Sequence, residues 1–156
     1  MAEAEWLSES EQQMWRAYLE STRLLLRALD HQLEVDAGIS FADYEVLGLL
    51  SEAPQRRLRM SEIAEAAVTT RSGVTRAVNR LADAGWLRRV PCPDDGRGLF
   101  AELTEAGLAK LRSAAPGHVA MVRRNVFELI SPRDVRLFTH TYAEIRAHLL
   151  DAHDRE

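Results

Sequence analysis

Over the first half of the chain, apolar residues recur every three or four positions, the spacing of one face of a helix. Ser8 with Glu11 has the form of a capping box. Beyond it Trp15, Tyr18, Leu19, Thr22, Leu26, Leu29 and Leu33 predict a long helix ending near Gly38. Ser40, with Asp43 three residues on, can cap a second helix carrying Phe41, Tyr44, Leu47 and Leu50, and Pro54 lies just past its end. Residues 53–57 read as a turn. Two short helices follow, one opening at Met60 and Ser61 with Ile63, Ala64 and Ala67, the other capped by Thr70 with Val74, Ala77, Val78 and Leu81. Two short helices with a brief turn between them have the sequence form of a helix-turn-helix.

The period then changes. Trp86, Leu87 and Val90 lie in a β-prone run after Gly85, Pro91-Cys92-Pro93-Asp94-Asp95-Gly96 reverses the chain, and residues 99–103 alternate on the far side. A two-stranded hairpin is expected. Thr104 caps a further helix with Leu108, Leu111, Ala115, Val119, Val122 and Val126, which Pro116-Gly117 should kink or break. Ser131-Pro132 opens the last helix, whose stripe is Val135, Phe138, Tyr142, Ile145 and Leu149. The expected fold class is mainly α with a short β-hairpin wing, a winged helix-turn-helix flanked by N- and C-terminal helices.

Composition narrows the function. With 156 residues, 46% of them hydrophobic and 28% charged, the chain suits one globular domain. No apolar run approaches the roughly 18 residues of a membrane span. The acidic first residues lack signal-peptide character and the single cysteine, Cys92, fits a reducing compartment, so a cytoplasmic protein with no membrane partner is expected. There is no glycine-rich phosphate loop, nucleophile elbow or metal-ligand spacing, and the histidines at 31, 118, 140, 148 and 153 include no close pair flanked by a cysteine. No catalytic residue, metal or cofactor is expected.

The net charge of −4 argues at first against a nucleic-acid partner, but it is unevenly spread. Residues 53–100 carry nine arginines against five acids, and the remainder eleven basic residues against nineteen acids. A basic middle between acidic ends can meet an anionic partner locally. Within that middle, the helix that buries Val74, Val78 and Leu81 turns Arg71, Ser72, Thr75, Arg76 and Asn79 outward, groups able to read base edges and phosphates. A solvated polar face would look the same in isolation; the hairpin beside it favours duplex DNA.

From Ile39 to Leu111 the sequence resembles the MarR family of bacterial winged-helix transcriptional regulators. The pieces in register are Ser61-Glu62-Ile63-Ala64, the run from Arg71 to Leu81, Ala84-Gly85-Trp86-Leu87-Arg88-Arg89, Asp95-Gly96-Arg97 and Leu103-Thr104-Glu105-Ala106-Gly107. The resemblance implies a recognition helix over 70–84 and a wing over 86–103, within a DNA-binding region spanning 40–103. The implied DNA contacts are Thr70, Arg71, Ser72, Thr75, Arg76, Asn79 and Arg80, with Arg97 entering a minor groove steadied by Asp95. Two positions depart from the family pattern: Gly96, often basic, and Thr69, usually aliphatic.

The resemblance further implies a homodimer joined through residues 8–37 and 104–153, repression from an inverted-repeat operator, and release of double-stranded DNA by a small molecule. Trp15, Tyr18, Tyr44 and His118 could hold an aromatic or phenolic effector. Two alternatives stay open: a redox-responsive regulator using Cys92, its thiol activated by Arg88 or Arg89, and a winged-helix protein-interaction module without specific DNA binding.

Overall fold

A computed structural model describes residues 6–67, 71–92 and 95–153, without the side chains of residues 71, 95–97 and 153. The chain divides into two compact units, Met1–His118 and Val119–Glu156.

In the first unit, α1 (Glu9–Ala37) starts as its sequence predicts. The Ser8 hydroxyl accepts from the Glu11 amide at 3.3 Å, and the Glu11 carboxylate accepts from the Ser8 amide at 2.7 Å. The helix stops at Gly38, whose φ of +62° is costly for a residue with a Cβ. α2 (Phe41–Glu52) is capped by Ser40, and Asp30 of α1 accepts from the Phe41 amide at 2.8 Å, tying the two helices together.

A 3₁₀ turn (Pro54–Arg56) leads into β1 (Arg57–Arg59), α3 (Met60–Ala66), α4 (Arg71–Asp83), β2 (Leu87–Cys92) and β3 (Asp95–Leu103). The expected two-stranded hairpin is a three-stranded antiparallel sheet in the order β1-β3-β2. β1, the three residues Arg57-Leu58-Arg59, is too short a run for its alternation to signal a strand. Its identity as a strand comes from pairing with Phe100, Ala101 and Glu102 of β3, and the Arg57 and Arg59 guanidinium groups lie over the Phe100 ring at 5.1 and 5.6 Å.

One core holds this unit together. Leu33 of α1, Leu47 and Leu50 of α2, Ile63 of α3, and Val74, Val78 and Leu81 of α4 are all but sealed from water. α4 ends in a Schellman turn, in which Trp86 N–H donates to Leu81 O and Gly85 N–H to Ala82 O, both at 2.9 Å, with Gly85 at φ +74°. The chain then returns close to the same point. Thr104 N–H donates to Trp86 O, its hydroxyl donates to Gly85 O at 2.8 Å, and it caps α5 (Glu105–Val122) by accepting from Gly107 N–H at 3.0 Å. A Cβ on Gly107 would stand 2.1 Å from Trp86 O, so the wing and α5 can meet here only over a glycine.

The expected interruption at Pro116-Gly117 does not break α5, which continues through Pro116. Pro116 is exposed, and the surrounding 18-residue helix absorbs the loss of one backbone donor. The irregularity falls later, in a π-helical turn at Arg123–Phe127.

The second unit holds the end of α5, that π turn and α6 (Pro132–His153). Ser131 caps α6, accepting from Asp134 N–H at 3.2 Å. Its apolar stripe stays open: Phe138, Tyr142, Ile145 and Leu149 are exposed, with the Phe138 and Tyr142 rings tilted toward each other, centroids 6.1 Å apart. No helix among the described residues is long and apolar enough to cross a membrane.

Candidate nucleic-acid interface

α4 is divided lengthwise. Val74, Ala77, Val78 and Leu81 are buried, whereas Ser72, Thr75, Arg76, Asn79 and Arg80 are exposed. The division follows from steps of three and four between the apolar residues, which align them on one side of a 3.6-residue turn. Arg71 opens the helix, Thr70 lies outside the described residues, and Asp95 and Arg97 open β3 without described side chains. β2 and β3 pair from Leu87↔Leu103 to Pro91↔Leu99, with an irregularity before Cys92↔Asp95.

Two depressions flank α4. One, of about 400 Å³, lies between α2 and α4 and is lined by Ala42, Glu45, Val46, Arg76 and Arg80 among others. Burial raises the Glu45 carboxyl above its ordinary carboxylate range. The other, of about 600 Å³, lies between α3, α4 and the wing, with Ser61, Thr75, Asn79 and Arg89 on its walls. Polar and cationic groups from three elements thus share one surface.

Arg80 differs from its neighbours. Its guanidinium grips Asp43 with two bonds, Nη2 to Oδ1 at 2.7 Å and Nε to Oδ2 at 3.3 Å. From sequence, Asp43 stands out only as part of a helix cap. The missed signal is its placement: Asp43, Val46, Leu47 and Leu50 follow i, i+3, i+4, i+7, so a carboxylate sits in the buried stripe of α2 and needs a cation.

The four expected effector residues fall into two pairs within a protomer. Tyr44 packs on His118 with centroids 4.4 Å apart, and Phe41, not anticipated, lies 6.0 Å from the same imidazole. His118 Nδ1 is buried and without a hydrogen-bond partner, and burial holds the imidazole pKa below its ordinary value. Trp15 and Tyr18 stack on each other at 5.9 Å on the exposed part of α1. They lie about 21 to 25 Å along that helix from Gln32, which borders Gly117. One protomer therefore does not gather all four into one pocket.

Cys92 is buried, and Arg88, one of its two supposed activators, is engaged by Glu102 across the hairpin. Among the described residues no group of three or more His, Cys, Asp or Glu side chains is placed to hold a metal.

A sequence profile of the MarR family matches residues 37–98, the span from the end of α1 into the wing. Among curated proteins the chain is 30% identical over 133 residues to the transcriptional regulator PecS of Dickeya dadantii, covering 82% of this chain and 76% of that one. Among solved structures it is similar to Sco3205 of Streptomyces coelicolor, a MarR family regulator determined in complex with DNA. Identity there is 44% and the TM-score 0.91, with 96% of this chain and 93% of that one covered. AbsC of the same organism is 40% identical with a TM-score of 0.88, over 95% and 99% of the two chains. With the two-faced α4, the wing and these relatives together, the chain belongs to the MarR family of transcriptional regulators.

Proposed function

We propose that this protein represses transcription by binding an inverted-repeat operator as a homodimer, with α4 in the major groove and the β2–β3 wing beside it. The observation that carries the reading is the polar outer face of α4, where Ser72, Thr75, Arg76 and Asn79 stand opposite a sealed apolar face. Hydroxyl, amide and guanidinium groups on a helix held rigidly from behind are what base-edge readout needs. The Sco3205 complex with DNA supports the same reading. Thr70, Arg71 and the wing pair Asp95 and Arg97 belong to the proposed contact set by sequence. The reading assigns the chain binding and no catalysis.

The dimer half rests on α1 and α6, which leave Trp15, Leu26, Phe138, Tyr142 and Ile145 exposed in a single protomer. Exposed apolar stripes of this kind mark an interface. Two-fold pairing would set the recognition helices on successive major grooves about 34–36 Å apart. Release by a phenolic or aromatic acid would act at the Tyr44–His118 cluster, whose planar groups and buried, unpartnered Nδ1 suit such a ligand.

The deciding experiment is selection of bound duplexes from a random pool. Enrichment of an inverted repeat, with affinity falling steeply as salt rises, is expected. Recovery of no preferred sequence, or binding indifferent to salt, would refute the reading.

A further inference from the structure

The Arg80–Asp43 pair spans both oxygens of its carboxylate, whereas Arg88, across the hairpin, brings Nε and Nη2 to the single Oε1 of Glu102, a side chain 17% exposed. Arg56–Glu105 joins groups that are both substantially exposed. The Asp43 side chain, by contrast, is only 10% exposed, while that of Arg80 is 53% exposed. Asp43 shares the buried side of its helix with Val46, Leu47 and Leu50. The apolar contacts of Val74, Val78 and Leu81 pack α4 against the core, but each is nondirectional and yields to small shifts more readily than a directional bond does. A two-point bond between a planar fork and a carboxylate prefers one roll and translation. Through it α4 is referred to α2, and α2 is referred to α1 by the bond from Phe41 N–H to Asp30.

We propose that Arg80 is a positioning residue for operator recognition: its fork on buried Asp43 sets the roll and register of α4, so that Thr75, Arg76 and Asn79 reach the base edges, and Arg80 itself is not a phosphate contact. The proposal rests on DNA binding through α4 and reassigns a residue within it. Base contacts demand placement to within about 0.5 Å, whereas attraction to the phosphate backbone tolerates small rotations. The pair therefore governs specificity more than overall affinity.

Asp43→Asn separates the two roles by sign. As a phosphate contact, Arg80 would be released by the substitution and one negative charge removed, so DNA would bind more tightly. As a positioning residue it would lose its anchor, and binding to the selected operator should weaken about tenfold, the scale of one bidentate base contact. Affinity for a scrambled duplex of equal length, and its salt dependence, should stay as in the wild type. The measurement is fluorescence anisotropy of full-length protein with both duplexes over a salt series, with near-ultraviolet circular dichroism to confirm folding.

Arg80→Lys gives an independent arm should Asp43→Asn not fold. Lysine keeps the charge and loses the fork, so operator affinity should fall while scrambled-duplex affinity holds. Equal or tighter operator binding by Asp43→Asn, or full operator affinity in Arg80→Lys, overturns the proposal. A wild type that discriminates between the duplexes in the same assay shows that such a failure belongs to this assignment. A wild type that binds neither overturns the DNA-binding reading and the proposal with it.

Discussion

α4 and α6 carry similar apolar stripes and meet opposite fates. In α4 the stripe Val74, Val78 and Leu81 is buried to within 1% of its surface. In α6 Phe138, Tyr142, Ile145 and Leu149 keep between 41% and 61% of theirs. Periodicity states that a helix has an apolar side. It does not state what covers that side, because the cover comes from segments distant in sequence or from another molecule. For α4 the cover is α2, α3 and the sheet within one chain; for α6 the proposed cover is a second copy.

The largest expected effect tests the closed region. Leu81→Ala removes a fully buried side chain and should destabilise the protein by about 2–5 kcal/mol. The loss should be the same at every protein concentration, as read from urea unfolding. Ile145→Ala, on the open stripe, should act through association instead: its melting temperature should match that of the wild type at concentrations too low for association and fall behind as concentration rises, and sedimentation should show more monomer. A loss of stability that persists in the monomer, with the monomer–dimer equilibrium unchanged, would mean that α6 is covered within its own chain.

Gly107→Ala sharpens the contrast between close packing and open surface. A methyl group forced against Trp86 O should cost about 1–3 kcal/mol, visible as a lower melting temperature at unchanged oligomeric state. Arg76→Ala probes the other face of α4. It should weaken operator binding by roughly 1–3 kcal/mol with little change in stability, and an equal loss on scrambled DNA would show that it touches phosphate alone.

The smallest effect concerns pH. Burial lowers the His118 pKa in the folded protein, so as pH falls below about 6.5 the unfolded chain takes up the proton first and the folded state loses stability. Melting temperature should therefore decline from neutral toward mildly acidic pH, and His118→Phe should reduce that slope. A slope identical to that of the wild type would place the titrating group elsewhere.

Much of the architecture was legible along the chain because the responsible interactions are local. The Ser8–Glu11 box, the stop at Gly38, and the caps at Ser40, Thr104 and Ser131 each depend on residues within a few positions, and each is present. The inner and outer faces of α4 were legible for the same reason. What escaped the sequence depended on distance. β1 is a strand because β3 lies beside it, and Tyr44 and His118 meet across 74 positions while Trp15 and Tyr18 stay apart from them.

The sequence by itself determined where helices begin and end, which side of each is apolar, where the basic charge is concentrated, and the motifs shared with a family. Backbone capping, helical periodicity and residue identity are properties of short segments, and short segments suffice to read them. Only the tertiary structure decided that Asp43 and Arg80, 37 positions apart, form one bidentate pair, and that Gly107 is the point where α5 meets the wing. Directional bonds and van der Waals limits act between atoms that folding brings together, and no local pattern encodes their distance.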